Sequence, residues 1–128
     1  MIYVDSSVAL ASLLTEPRQV PDDLWDHPLI SSRLLEYEVW NRLHAQQLAR
    51  RLGERAEVLL SRVELVELTP TVLARALEPF PIAARTLDAL HLATIDYARQ
   101  RGDEVRLASY DNRLIAAARA LGIDIHDL

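Results

Sequence analysis

Ile2-Tyr3-Val4-Asp5-Ser6-Ser7-Val8 opens the chain with three apolar residues followed by an acid and two hydroxyls. The apolar triplet reads as a short buried strand. Asp and Ser are the side chains that satisfy the free N–H groups of a helix start, so a helix is expected to follow over about residues 8–14. The same grammar returns late in the chain. Val105-Arg106-Leu107-Ala108-Ser109 reads as a strand, Asp111 follows it, and residues 112–121 read as a helix closed by Gly122. Working outward, Pro17, Pro21 and Pro28 punctuate a turn or short helix around residues 22–25, and Leu29-Ile30-Ser31 is a second strand. A long amphipathic helix is expected over residues 33–52, ending near Gly53, with another over 54–62. Val66-Glu67-Leu68 reads as a third strand stopped by Thr69-Pro70. Residues 71–77 and 86–101 read as helices, broken by Pro79 and Pro81 and by Gly102 respectively, and residues 123–125 as a last strand. Five short strands separated by helices predict an α/β fold with a mainly parallel sheet covered on both faces. In such sheets ligands bind at the carboxyl ends of the strands, near a switch in strand order.

The 128 residues suit a single domain spanning 1–128. Half are hydrophobic and 26% charged, the balance of a globular chain. No apolar run approaches the roughly 20 residues of a membrane span, and Met1–Asp5 lacks the basic start of a signal peptide. With no cysteine, thiolate metal sites are excluded and a cytosolic location is expected. All fourteen Lys/Arg positions are arginine, which removes P-loop and Schiff-base chemistry and the lysine of receiver-type phosphorylation domains. The net charge of −5 offers no global attraction to nucleic acid. It speaks less against a nuclease, whose carboxylates are themselves acidic until they hold a metal.

Four acids stand out. Asp5 and Asp111 each follow a strand and precede a helix, where a plain N-cap is the competing explanation. Asp88 lies in the first turn of the helix Thr86-Leu87-Asp88-Ala89-Leu90-His91-Leu92-Ala93, where an acid is favourable against the helix dipole. The residues after it are so apolar that the helix should be deeply packed. Glu38 shares a helical face with Leu34, Leu35, Arg42, Ala45 and Ala49. There a carboxylate is costly unless bound to metal or paired, Arg42 being the obvious partner. Glu36 falls nearly opposite and reads as solvated. His91 is either a group supporting the acids or simply a hydrogen-bonded histidine. Four converging carboxylates repel, by roughly 4 kcal/mol per pair at about 4 Å and a surface-like dielectric. An all-oxygen cluster of that charge favours Mg²⁺ or Mn²⁺, ions that activate water and neutralise a phosphodiester.

The stretches Ile2–Val8, Ser31-Ser32-Arg33-Leu34-Leu35-Glu36-Tyr37-Glu38-Val39, Arg85–Ala93 and Ala108-Ser109-Tyr110-Asp111-Asn112-Arg113-Leu114 resemble, in order and over about residues 1–122, PIN-domain ribonucleases. More narrowly they are similar to the VapC toxins of bacterial toxin–antitoxin pairs. The resemblance implies a three-layer α/β/α fold and Mg²⁺, or Mn²⁺, held by Asp5, Glu38, Asp88 and Asp111. It further implies endoribonuclease cleavage of structured RNA such as tRNA or rRNA, a small VapB-like antitoxin as partner, and a homodimer. Ser6 or Ser7 matches the small hydroxyl beside the first acid, and Ser109 the usual Thr or Ser. With Asn112, they and the flanking Arg85 and Arg113 are candidates for RNA contact, the bland reading of the arginines being solubility. Trp25, Tyr37, Trp40 and Leu43 offer apolar surface for a partner, with core packing as the alternative. Rival readings are a non-catalytic PIN-like scaffold that binds RNA or protein, a generic Mg²⁺ phosphoesterase or DNA nuclease, and a receiver-type domain. The last is disfavoured by its missing lysine and missing paired acid.

Overall fold

The computed structural model describes residues 1–14 and 18–128, so Pro17 lies outside the described residues. Strand β1 (Ile2–Val4) pairs in parallel with β2 (Leu29–Ser32) on one side and β4 (Arg106–Ala108) on the other. Outside these lie β3 (Val63–Val66) and β5 (Asp124–Ile125), giving an all-parallel sheet of order β3-β2-β1-β4-β5. The chain winds outward one way through β2 and β3 and then the other way through β4 and β5. The switch in order therefore falls between β1 and β4, as the parallel-sheet rule requires of a binding crevice.

Period-two alternation sends successive residues to opposite faces. Ile2, Val4, Leu29 and Ala108 join a core completed by α1 (Ser6–Leu13), α2 (Leu34–Ala45) and α3 (Ala49–Ser61), through Val8, Leu35, Val39, Leu43, Leu52 and Ala56. Tyr3, Ile30 and Leu107 face the other way, against Val72 of α4 (Pro70–Ala76), Leu92 and Ile95 of α5 (Thr86–Gln100), and Leu114 and Ala117 of α6 (Asn112–Ala120). The result is the expected three-layer α/β/α arrangement. A 3-10 turn at Asp22–Asp26 fills the region read as a turn.

Three readings need correction. The long helix over 33–52 is two helices. Gln47 takes φ = 58°, its N–H meets the carbonyl of His44, and the N–H of Leu48 meets that of Leu43. This is the Schellman ending that glycine usually supplies. It also closes α5 at Gly102 (φ 95°) and α6 at Gly122 (φ 76°). The left-handed conformation disfavours any side chain bearing a Cβ. Gln47→Gly is therefore expected to stabilise the protein by about 0.5–1 kcal/mol, read by urea unfolding. An unchanged or lower midpoint would contradict it. Gly53 does not stop a helix. It lies inside α3, where an added Cβ would stand 3.0 Å from the Trp40 ring, so its role is to let α3 approach α2.

The third strand is Val63–Val66 rather than residues 66–68. Val63 and Val66 are the buried positions, and the chain turns immediately afterwards, with the Thr69 N–H on the carbonyl of Glu67. Glu67 leaves the sheet to pair with Arg33 on the surface.

The partner-facing set is also different. Leu43 is fully buried, and Trp25 and Trp40 are partly buried against the first core, so only Tyr37, at 64% exposure, remains open. Among the described residues the other exposed large apolar side chains are Val58, Leu73, Leu77 (89%), Ile82, Leu87 and Leu128. Leu73 and Leu77 border a shallow groove shared with Ala84, Ala89 and Leu90.

Candidate active site

Asp5 ends β1 and caps α1, as the opening residues predicted. Oδ1 accepts the N–H groups of Ser7 (3.1 Å) and Val8 (3.4 Å) and the Ser7 hydroxyl (2.6 Å), while Oδ2 accepts the Ser109 hydroxyl (2.7 Å). Each serine also accepts an N–H from the loop after β4, Ser7 from Tyr110 (2.9 Å) and Ser109 from Asp111 (2.9 Å). The two hydroxyls thus stitch the ends of β1 and β4 together across the switch point, with the buried carboxylate between them. Asp5 is only 4% exposed, and burial raises its carboxyl above the usual aspartate range despite the donation from Ser7 and Ser109.

Asp111 caps α6, its Oδ1 accepting the N–H groups of Arg113 (3.0 Å) and Leu114 (3.4 Å). The N-cap reading of Asp5 and Asp111 is therefore correct for both, and it leaves each acid at the crevice. Asp88 sits in the first turn of α5, half-buried. Its carboxyl is raised by burial, then by the negative charge of Asp111, with a smaller push from Glu38; Arg85 works against these. That mutual influence ties Asp88 to the same crevice, although no hydrogen bond joins it to the other acids among the described residues.

Glu38 projects from α2. Its partner is His91 of α5, with Nε2 and Oε1 2.6 Å apart, rather than Arg42; Ser6 donates to Oε2 at 3.2 Å. Glu36 is the more exposed acid and pairs with Arg33, as its place on the opposite side suggested. His91 continues inward, its Nδ1 lying 2.6 Å from the Tyr3 hydroxyl. The sequence left His91 between two readings and did not single out Tyr3. A tyrosine in an otherwise apolar buried strand was the available signal, because its hydroxyl needs a partner.

Arg85, Asn112 and Arg113 stand exposed at the starts of α5 and α6. The main-chain N–H of Arg113, not its guanidinium, reaches Asp111. Asp5, Ser7, Ser109 and Asp111 thus share one hydrogen-bond network, Ser6 and Glu38 form a second with His91, and Asp88 is tied to Asp111 and Glu38 through charge.

As these side chains stand, no three acidic or imidazole groups among the described residues are close enough to share one ion. A preformed cage is not what Mg²⁺ ordinarily uses; it keeps several waters and takes one or two carboxylates. The donor set of carboxylates and hydroxyls, with repulsion already felt at Asp88, fits such an ion chemically.

Among the described residues no helix is long and apolar enough to cross a membrane. Two proteins of Mycobacterium tuberculosis are similar to the chain over nearly its whole length. One, named Ribonuclease VapC46, is 37% identical over 131 residues, covering 97% of this chain and 95% of its own. The other, Ribonuclease VapC47, is 28% identical over 132 residues, covering 95% and 93%. The sequence model of the PIN domain matches residues 2–122, from the first strand past the last helix, and with the three-layer fold and the acid-lined switch point in place the chain belongs to the PIN-domain family.

Proposed function

We propose that the protein is a metal-dependent endoribonuclease, the toxin of a VapBC-type pair, with Asp5, Glu38, Asp88 and Asp111 holding Mg²⁺ or Mn²⁺. The observation that carries this reading is Asp88. Its carboxyl is disfavoured as an anion by burial first, then by Asp111 and least by Glu38, residues 23 and 50 positions away, at the one edge of the sheet where ligands bind. A cation relieves that repulsion. The similarity to two proteins named ribonucleases supports RNA as the substrate.

When bound, the ion supplies charge neutralisation at the phosphodiester and activation of water. The chain's own part is to hold the acids. Asp5 is fixed by four donated hydrogen bonds, Asp111 by two N–H groups, and Glu38 by His91 and Ser6. Arg85 and Arg113, exposed beside the third and fourth acids, bind backbone phosphates of a tRNA or rRNA segment, with Ser6, Ser7, Ser109 and Asn112 nearby. Arginine-only cations keep that grip at any physiological pH. A small antitoxin restrains the enzyme, and a second copy completes a homodimer. The open apolar side chains of Leu73 and Leu77, on one groove, support a covered surface there. The cytosol, where RNA substrates lie, is the proposed location.

Incubation of the purified protein with end-labelled tRNA and rRNA fragments tests the proposal. Cleavage is expected in millimolar Mg²⁺ or Mn²⁺, to stop with chelator, and to return when the ion is restored. The antitoxin is to be sought in the neighbouring reading frame, and its product should block cleavage. Undiminished cleavage in chelator, or none of any RNA with either ion, would refute the assignment.

A further inference from the structure

Tyr3, His91 and Glu38 form one line across the molecule, from the central strand through α5 to α2, buried at Tyr3 and His91 and opening to the surface at Glu38. The Tyr3 hydroxyl is fully buried and accepts the Ser32 N–H at 3.1 Å, so its own hydrogen must point elsewhere. The Ser31 and Thr94 hydroxyls lie beside the tyrosine oxygen, but their own hydrogens are directed elsewhere. Ser31 donates to the carbonyl of Val4 (2.6 Å) and Thr94 to that of Leu90 (2.8 Å). Nδ1 of His91, at 2.6 Å, is the nearest acceptor to that hydrogen. With Nδ1 accepting, Nε2 carries the hydrogen and donates to Glu38 Oε1, also at 2.6 Å. The tyrosine and imidazole rings meet edge-on, at 84° with centroids 5.7 Å apart, and His91 is 2% exposed with both ring nitrogens engaged. Ser6 holds the other carboxylate oxygen.

We infer that His91 is a positioning residue, locked by Tyr3 so that its Nε2–H aims the Glu38 carboxylate at the crevice. This inference rests on Glu38 being an ion-holding acid. Glu38 reaches in from a helix on the opposite layer to Tyr3, and a flexible glutamate has many rotamers to lose. A ligand carboxylate fixed beforehand by a rigid donor binds its ion more tightly than a free one. Loss of such a supporting partner typically weakens metal affinity about 10- to 100-fold.

The test compares wild type with His91→Leu, His91→Gln and Tyr3→Phe. Nitrogen-15 NMR of the metal-free protein at pH 8 should show His91 protonated at Nε2 with Nδ1 bare, and Tyr3→Phe should disturb that signature. Titration with Mn²⁺, followed by electron paramagnetic resonance, should show affinity falling at least about 10-fold in His91→Leu. His91→Gln, whose amide nitrogen reaches about as far as Nε2, should recover most of the loss. A ring carrying a proton on Nδ1, or Mn²⁺ binding as tight in His91→Leu as in wild type, overturns the inference while leaving the nuclease reading standing. Wild-type protein that takes up no Mn²⁺ overturns both. If His91→Leu does not fold, the ring signature and the comparison of His91→Gln with Tyr3→Phe still decide.

Discussion

Asp5→Asn and Asp88→Asn should each lower RNA cleavage by roughly a thousand-fold, equivalent to about 4 kcal/mol of transition-state stabilisation. Both should leave the metal-free protein as stable as wild type at neutral pH, or more so. The sign follows from linkage. Burial raises the folded carboxyl of Asp5, and burial with Asp111 raises that of Asp88, from an ordinary 3.8. A carboxyl raised on folding contributes stability that is fully present below the unfolded value and is lost as pH climbs through the folded one. At pH 7 both charged aspartates are thus a burden on the apo fold, and asparagine removes it. Asn also remains a good cap for α1 at position 5. The pair of measurements is RNA cleavage at saturating metal and thermal melting in chelator. Cleavage equal to wild type in both variants would sink the assignment of these acids, and a large loss of apo stability would show that their charge holds the fold together.

Ser109→Ala is expected to destabilise the protein by about 2–3 kcal/mol and to reduce cleavage as well. One hydroxyl, 5% exposed, donates to Asp5 Oδ2 and accepts the Asp111 N–H. Removing it strips a donor from a buried carboxylate and strands a main-chain donor, and each loss is worth about 1–3 kcal/mol. A melting point lower by roughly 8–12 °C should report it. Ser109→Thr keeps the hydroxyl and should stay near wild type. A Ser109→Ala protein that melts with wild type would mean that water replaces the hydroxyl at no expense, and that the two strand ends are not joined through it.

Much of the architecture was readable because its signals are local. β1 and β4 each end in a capping acid, and both caps form as read, since the hydrogen bonds lie within three residues. Gly102 and Gly122 announced the ends of α5 and α6 because glycine is the usual left-handed residue there. Gln47 makes the same ending without the signal, so α2 and α3 were fused in the reading. The position of β3 depends on its register against β2, a non-local fact that the alternation around Val66 misjudged.

At the site, chain order and motif named the four acids, and helical phase chose Glu38 over Glu36. Its partner could not be read. Arg42 is one turn away on the same helix, whereas His91 comes from a helix 53 residues on and from the other layer. Leu43 likewise looked available for a partner, yet α3 covers it, because the break at Gln47 folds that helix back on α2.

Both N-caps in the crevice carry a consequence for chelation. Helices α1 and α6 turn their amino ends toward Asp5 and Asp111, and each such end bears about half a unit of positive charge. Backbone dipoles therefore offset part of the acids' repulsion without any ion, and the cleft keeps its shape on the strength of the chain alone. Under the function proposed above, ion occupancy would then rise and fall with the supply in solution, and the metal would be an exchangeable visitor rather than a structural keystone.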